Sequence, residues 1–257
     1  MEKALVSIIT PSYNSGKFIA QTIYSVQAQT HRHWELLITD DCSTDTTVTI
    51  IEAFAAADPR IRLFRLNENA GPGVARNHSI QKARGNYIAF LDADDLWRPE
   101  KLERQLKFMH QNGAHFTFSF YDCMDEDGKP LDKRVAAPEF LSYRQLFFCN
   151  YVGNLTGIYD AGYFGKIPIS AIKKRQDWIV WLTVLKKIRF AQPVPESLAV
   201  YRIRKQSVSS SKLDLLRYNF KVYRDFHRLN GISAFCCMGI FLFTQLLIKP
   251  RYTKSLK

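Results

Sequence analysis

The residues best suited to chemistry in this chain form an acidic turn, residues 92–95 (Asp-Ala-Asp-Asp), directly after the apolar run 87–91. Three carboxylates at the end of a buried strand carry a large desolvation cost unless a positive group lies beside them. A divalent cation such as Mg²⁺, held by one or two carboxylates and by the phosphates of a ligand, would offset this cost. The alternative is an acidic turn with an N-cap for the next helix.

Two other predicted strands also end in polar residues, at 11–14 and at 40–41. The carboxyl ends of parallel strands meet along one edge of a sheet, where ligands bind. A ligand made of a base and a metal-bound phosphate group would use all three strand ends. Tyr13 would stack on the base, Asp41 would accept hydrogen bonds from its N–H groups, and Asp94 would hold the ion.

The phosphates need positive charge from another source, because no G-x-x-x-x-G-K-[ST] or G-x-G-x-x-G phosphate loop occurs in the sequence. Arg76, in a predicted short loop and helix at 70–77, is the best candidate for this role. The missing loop also argues against a nucleotidyltransferase.

The elements that must position these residues alternate between strand and helix. Strands are predicted at 6–9, 34–38, 61–66 and 87–91, with helices near 17–29, 48–58 and 74–82 between them. This order predicts an α/β fold with a doubly wound, mostly parallel central sheet flanked by helices. A fourth helix is predicted with Pro99 in its first turn and Gly113 just past its end, followed by a strand at 116–121.

The composition, with 46% hydrophobic and 23% charged residues in 257, is that of one large folded domain or one domain with an appendage. The five cysteines include no Cys-x-x-Cys pair, which predicts a reducing compartment and no zinc site. The first predicted strand begins too early to leave room for a signal peptide. We therefore expect a cytoplasmic body.

The net charge of +12 is concentrated at the C-terminus, where residues 202–257 hold twelve Lys or Arg residues against two Asp. Such a tail can bind nucleic acid or an anionic membrane. Residues 232–248 carry no charge and are followed by basic residues, which favours peripheral attachment to a membrane over nucleic acid. The run is short for a membrane span, and a core helix is the alternative.

Three motifs, at residues 6–14, 37–45 and 90–95, together resemble the family 2 glycosyltransferases, which have the GT-A fold. The resemblance implies an inverting transferase that uses a nucleotide-diphosphate sugar, usually a UDP-sugar, with Mn²⁺ or Mg²⁺. It implies that Asp92 and Asp94 form the metal-binding pair, with Asp94 nearest the ion. It also implies nucleotide contacts from Pro11, Tyr13, Asn14, Asp41, Arg76 and Asp92.

The same resemblance implies a general base, because inverting transfer requires a carboxylate to take the proton of the acceptor hydroxyl. The family usually has an acidic pair before a tryptophan, whereas this chain has Gln176 and Asp177 before Trp178. Asp177 aligns with the base. Without the resemblance, Asp177 would be interpreted as a helix N-cap.

A basic stretch follows at residues 201–205, where the family commonly has Tyr-Arg-x-His and this chain has Arg204 in place of the histidine. Arg202 or Arg204 could bind the donor diphosphate, and a solvated basic surface is an equal alternative. Because the Gln-x-x-Arg-Trp motif of processive synthases is absent, we expect single sugar addition.

The sequence thus predicts a transferase domain at 1–211, with a nucleotide-sugar half at 1–98 and an acceptor half at 99–211, and a membrane-associating tail at 212–257. We expect transfer from a UDP-sugar to a lipid-linked or polysaccharide acceptor in the bacterial cell envelope, at the inner face of the membrane. The alternative is a non-catalytic binding module with the same body.

Overall fold

The structure is a computed structural model that describes residues 4–204 and 212–256. Its strands are β1 (Val6–Ser12), β2 (Trp34–Asp40), β3 (Ile61–Arg65), β4 (Tyr87–Phe90), β5 (Leu96–Trp97), β6 (Phe116–Met124), β7 (Pro130–Val135), β8 (Leu141–Ser142), β9 (Ile158–Asp160), β10 (Phe190–Ala191), β11 (Pro193–Arg202) and β12 (Thr253–Lys254). Its α-helices are α1 (Ile19–Gln27), α2 (Thr47–Ala57), α3 (Pro72–Lys82), α4 (Lys101–Asn112), α5 (Tyr143–Phe148), α6 (Ala161–Phe164), α7 (Gln176–Ile188), α8 (Lys212–Lys221) and α9 (Gly231–Phe243).

The first half of the chain forms the parallel part of the main sheet, in the order β3-β2-β1-β4. Its strands are buried on both faces, since Ile8 packs in one core cluster and its neighbour Ile9 in the other. One cluster takes α-helical residues from α1, α2 and α4, and the other from α3, α5, α7 and α9. Helices on both faces explain why these strands are continuous apolar runs. The predicted doubly wound α/β sheet is confirmed.

The second half adds strands that the sequence analysis did not place, apart from β6. Strand β9 lies antiparallel between β4 and β6, and β11 runs parallel to β6. Strand β7 continues the sheet beyond β6. Helix α4 begins at Lys101, so Pro99 lies before its first turn, contrary to the prediction. Gly113 does end this helix, with a left-handed φ of 58° that suits glycine.

The C-terminal tail packs against the body. Phe241 of α9 lies 6.0 Å from Trp178 between ring centroids, and β12 pairs with the edge strand β7. Between α9 and β12 the chain forms a π-helical turn, Thr244–Ile248, and a 3₁₀ turn, Lys249–Tyr252. The predicted domain boundary after residue 211 falls at the edge of residues 205–211, which lie outside the described part of the chain.

Candidate active site

The acidic turn follows β4, and its last member faces inward. The carboxylate of Asp95 is 1% exposed and accepts a hydrogen bond of 2.9 Å from the backbone N–H of Arg202. Burial, together with the charges of Asp94 and Asp92, raises the pKa of Asp95 well above its usual range. Asp95 therefore anchors the turn to β11 and leaves Asp92 and Asp94 to face the site.

Asp94 lies at the surface of the turn, paired with Arg204. Its Oδ2 is 2.9 Å from Nη1 of Arg204, and the two side chains are 24% and 28% exposed. Burial is the main cause of the raised pKa of Asp94, and the charge of Asp92 adds to it, while the hydrogen bond from Arg204 opposes it. A cation near Asp94 would favour its ionised form.

Arg202 supports the turn from beneath. It is 3% exposed, and its Nε donates to the backbone carbonyl of Asp94 at 2.8 Å. Its two terminal nitrogens donate to the carbonyl of Glu126 at 3.0 Å and to Oε1 of Gln21 at 2.7 Å. All three guanidinium nitrogens are thus used within the protein. Of the two predicted diphosphate ligands, Arg204 is the one at the site surface.

A second arginine joins the acidic turn to helix α7. Arg76 of α3 places Nη2 2.6 Å from Oδ1 of Asp92 and donates from Nη1 to Oε1 of Gln176 at 3.0 Å. Asn154 also donates to Asp92, at 3.1 Å. The side chain of Gln176 packs directly on the backbone of Gly73, where a Cβ would lie 2.3 Å from Nε2 of Gln176. The glutamine at the family's first acidic position therefore accepts from Arg76 without adding a charge.

Asp177, the predicted base, lies next to this network in the first turn of α7. Its Oδ2 accepts a hydrogen bond of 2.8 Å from Asn150. Burial raises its pKa, and the charges of Arg175 and Arg76 and the N–H of Trp178 act in the opposite direction. Arg175, with a left-handed φ of 65°, occupies the N-cap position. The alternative interpretation of Asp177 as the N-cap is therefore wrong.

The strand ends predicted to bind the base are close to one another. Tyr13 is 49% exposed and free to stack, whereas Pro11 is buried within β1. Asp41 is 3% exposed and its carboxylate accepts from the N–H groups of Ala70 and Gly71, at 2.7 and 2.8 Å. Asp41 thus holds the loop before α3.

Asn14 stabilises the neighbouring loop. It has a left-handed φ of 45°, and its Oδ1 accepts from the N–H of Thr44 at 2.9 Å. Among the described residues it therefore bridges the loops after β1 and β2, beside Tyr13.

The acidic pair suits a hard divalent cation. No group of three or more His, Cys, Asp or Glu side chains that could hold a metal occurs within residues 4–204 and 212–256. Asp92 and Asp94 supply carboxylate oxygens and are 31% and 24% exposed. Mg²⁺ is commonly held by one or two carboxylates and completed by substrate phosphates and water. The residues present fit such an ion when a diphosphate is bound.

Sequence reasoning missed the two asparagines of the site, Asn150 and Asn154. Asn150, in a loop, donates to Asp177, and Asn154, at the start of a 3₁₀ turn, donates to Asp92. Their local sequence does not indicate a role in the site, because single asparagines are common in loops and turns.

The comparisons with known proteins decide the family. The profile of "Glycosyl transferase family 2" matches residues 7–162. The chain belongs to glycosyl transferase family 2. This glycosyltransferase is 44% identical to the "Putative teichuronic acid biosynthesis glycosyltransferase TuaG" of Bacillus subtilis, over 91% of this chain and 93% of the relative. It is 34% identical to an Escherichia coli protein, the "UDP-Glc:alpha-D-GlcNAc-diphosphoundecaprenol beta-1,3-glucosyltransferase WfgD", over 88% of each. These relatives confirm the enzyme class.

Solved structures confirm the GT-A fold of the glycosyltransferase. Residues 1–349 of Staphylococcus aureus TarS, in complex with UDP, superpose with a TM-score of 0.69 at 20% identity, over 96% of this chain and 73% of that TarS chain. The mannosyltransferase PcManGT of Pyrobaculum calidifontis, in complex with GDP-Man and Mn²⁺, gives a TM-score of 0.65 at 16% identity, over 94% and 70% of the two chains. At this level of identity the likeness concerns the fold alone.

Proposed function

We propose that this glycosyltransferase moves a single sugar from a UDP-sugar to a lipid-linked or polysaccharide acceptor, with inversion at the anomeric carbon. The observation that carries the proposal is a hydrogen-bond network that joins the acidic turn, on the proposed donor side, to helix α7, on the proposed acceptor side. Arg76 contacts Asp92 of the acidic turn and, through Gln176, the first turn of α7 that holds Asp177. A diphosphate anchor and a candidate base thus lie on either side of one arginine.

In this mechanism Asp177 accepts the proton of the acceptor hydroxyl. The hydroxyl oxygen then forms a bond to the anomeric carbon, and the bond from that carbon to the diphosphate oxygen breaks. The electron pair leaves with UDP. Asn150 orients the carboxylate of Asp177, leaving one oxygen for the acceptor. Because burial raises the pKa of Asp177, it is a stronger base than an exposed aspartate.

On the donor side, Asp92 and Asp94 would hold Mn²⁺ or Mg²⁺, which supplies charge to stabilise the leaving diphosphate. Arg204, now paired with Asp94, would move its hydrogen bonds to the phosphates. Tyr13 would stack on the base, with Pro11 and Asn14 shaping that contact. Asp41 would contact the nucleoside with the carboxylate lone pairs that do not accept hydrogen bonds from Ala70 and Gly71.

Two observations support a cell-envelope setting. TuaG is named for teichuronic acid biosynthesis and WfgD for a sugar acceptor linked to diphosphoundecaprenol. In addition, the tail presents apolar side chains to solvent. Residues 231–252 form a helical stretch in which 18 consecutive residues have a mean hydropathy of 2.0, and 17% of these are buried. The exposed members include Ile232, Phe235, Phe243, Leu246 and Leu247, at 57–81% exposure. We propose that this face lies on the inner leaflet of the membrane, assisted by basic residues.

The donor proposal is tested by thermal unfolding with UDP and Mn²⁺. Wild-type protein should be stabilised by both together, since ligand binding to the folded state raises its stability. Asp94→Asn should abolish the part of this stabilisation that depends on Mn²⁺. Glu52→Gln, an exposed carboxylate of the same half, is the matched control. The proposal fails if UDP and Mn²⁺ leave the wild-type midpoint unchanged, or if Asp94→Asn responds as the wild type does.

The membrane proposal is tested by sedimentation with vesicles that contain anionic lipid. Replacement of Leu246 and Leu247 by serine should lower the bound fraction several-fold, because both side chains are exposed and their burial in lipid is lost. Equal binding of variant and wild type would contradict the proposal.

A further inference from the structure

Helix α8 of the C-terminal tail contacts the segment that leads into the proposed base. Oδ1 of Asn219 accepts a hydrogen bond of 2.6 Å from Nε of Arg175. Nζ of the preceding residue, Lys174, lies 2.6 Å from Oδ2 of Asp214. Two successive residues just before α7 are therefore held by one helix of the tail that was predicted only to contact a membrane.

The two contacts differ in burial. Asn219 is 1% exposed, so its hydrogen bond to Arg175 is shielded from water. The Lys174–Asp214 pair lies nearer the surface, where the side chain of Asp214 is 38% exposed. Ion pairs near the surface contribute little to stability, whereas a buried hydrogen bond to a charged group contributes more. The bond from Arg175 to Asn219 is therefore the main link between α8 and this segment.

The backbone of Arg175 depends on such a link. Its φ of 65° and ψ of 21° are left-handed, a conformation that a residue with a Cβ keeps only when its surroundings hold it. The carbonyl of Arg175 accepts the first hydrogen bond of α7, from the N–H of Ile179 at 3.1 Å. Asp177 lies between these two residues. The direction of its carboxylate therefore depends on the conformation at Arg175.

The tail also holds the residue after the proposed base. The ring of Trp178 packs edge to face on Tyr223, with 6.0 Å between ring centroids. Tyr223 is fully buried, and its hydroxyl donates to the carbonyl of Phe147 at 3.0 Å. The neighbours of Asp177 at positions 175 and 178 thus both contact the tail.

We propose that Asn219 is a positioning residue for sugar transfer, which directs the carboxylate of Asp177 by holding Arg175 in its left-handed conformation. This inference rests on the proposed function, in which Asp177 is the base. Asn219 is buried and bonded to Arg175, so it acts through that residue and not on the substrates. The tail is then part of the catalytic unit in addition to its proposed contact with the membrane.

The proposal is tested by steady-state transfer with the full-length protein, measured as release of UDP. Asn219→Ala should lower kcat about tenfold or more, because a displaced base less often meets the acceptor hydroxyl in the reactive geometry. The KM for the donor should stay within about twofold, because the donor side is unchanged. Asn219→Asp should retain kcat, since a carboxylate oxygen accepts the same hydrogen bond. Equal losses in both variants would exclude this bond as the cause.

A double variant separates positioning from a general loss of packing. Glycine adopts a left-handed φ without strain, so Arg175→Gly removes both the strain and the side chain that Asn219 holds. In the Arg175→Gly protein, Asn219→Ala should therefore cause no further loss of kcat. Additive losses would show that Asn219 does not act through Arg175, and the inference would fail.

Asn230→Ala is the matched control. Asn230 is the N-cap of α9, where its Oδ1 accepts from the N–H of Ser233 at 2.9 Å. The change removes an asparagine hydrogen bond from the same tail without affecting Arg175. It should lower the midpoint of thermal unfolding, because an N-cap is lost, and leave kcat unchanged.

The inference fails if Asn219→Ala keeps the kcat of the wild type, or if Asn219→Ala and Asn230→Ala lower kcat alike. Thermal unfolding of each variant establishes that the protein assayed is folded. If Asp177→Asn transfers sugar at the rate of the wild type, the proposed function fails instead. The two failures are therefore distinguishable.

Discussion

The proposed donor side and the proposed acceptor side of the active site are built in different ways. On the donor side, neighbouring parallel strands deliver Tyr13, Asp41 and the acidic turn to one edge of the sheet. On the acceptor side, Asp177 comes from a helix, its partner Asn150 from a distant loop, and the adjoining wall from the C-terminal tail. Sheet topology alone thus places the donor residues, whereas the acceptor residues depend on packing between separate segments.

The largest effect is expected for Asp177→Asn, which replaces the carboxylate of the proposed base by an amide of nearly the same shape. Transfer should fall by about 10²–10⁴-fold, the usual contribution of a general base. UDP and Mn²⁺ should stabilise the variant as they do the wild type, because the donor side is intact. Steady-state transfer rates and thermal unfolding measure the two effects.

Asp127→Asn is the control, because this acid is 84% exposed and distant along the chain from α7. Its transfer rate should match that of the wild type. Loss of UDP binding in Asp177→Asn would contradict the separation into two sides.

A smaller effect distinguishes the two arginines of the donor side. Arg202→Lys should lower the free energy of unfolding by about 1–3 kcal/mol, since lysine cannot reproduce three donors in a fixed fork. Arg204→Lys should leave stability nearly unchanged and raise KM for the donor about tenfold. Urea unfolding and donor titration measure these outcomes. If Arg202→Lys changed KM and left stability unchanged, Arg202 would bind the donor, and its assignment as a support of the acidic turn would be wrong.

The smallest effect concerns pH. Asp177 must be ionised to accept a proton, and burial raises its pKa, so transfer should be lost on acidification at a higher pH than for an ordinary aspartate. The charge of Arg175 lowers this pKa. Arg175→Gln should therefore move the acidic limb of the pH profile of kcat/KM to still higher pH. Arg175→Lys retains the charge and should keep the limb in place. A limb that is the same in all three proteins would exclude Asp177 as the titrating base.

Much of the donor side could be predicted from sequence, for a physical reason. A buried parallel strand is an apolar run, and the polar residue at its end must lie at the ligand edge. The fold and the positions of Tyr13 and the acidic turn follow from that rule. The rule does not separate Asp94 from Asp95, or Arg204 from Arg202, because each pair differs only in which way its side chains face.

The acceptor side was less accessible to sequence reasoning. Asp177 was identified through a family resemblance, and its own surroundings indicated an N-cap that the structure assigns to Arg175. Asn150 was missed, because it acts through a contact with a segment remote in the chain.

The hydrogen bond from Arg202 to Asp95 has a consequence for how the enzyme is made. It joins residues 107 positions apart, and Arg202 lies beyond the segment 7–162 that defines the family. A nascent chain released only to the end of that segment has its parallel strands but leaves the Asp95 carboxylate without the N–H that it needs. Closing so long a loop is slow. The acidic turn is therefore completed late in synthesis, and we expect that a fragment cut at the family boundary does not bind the donor.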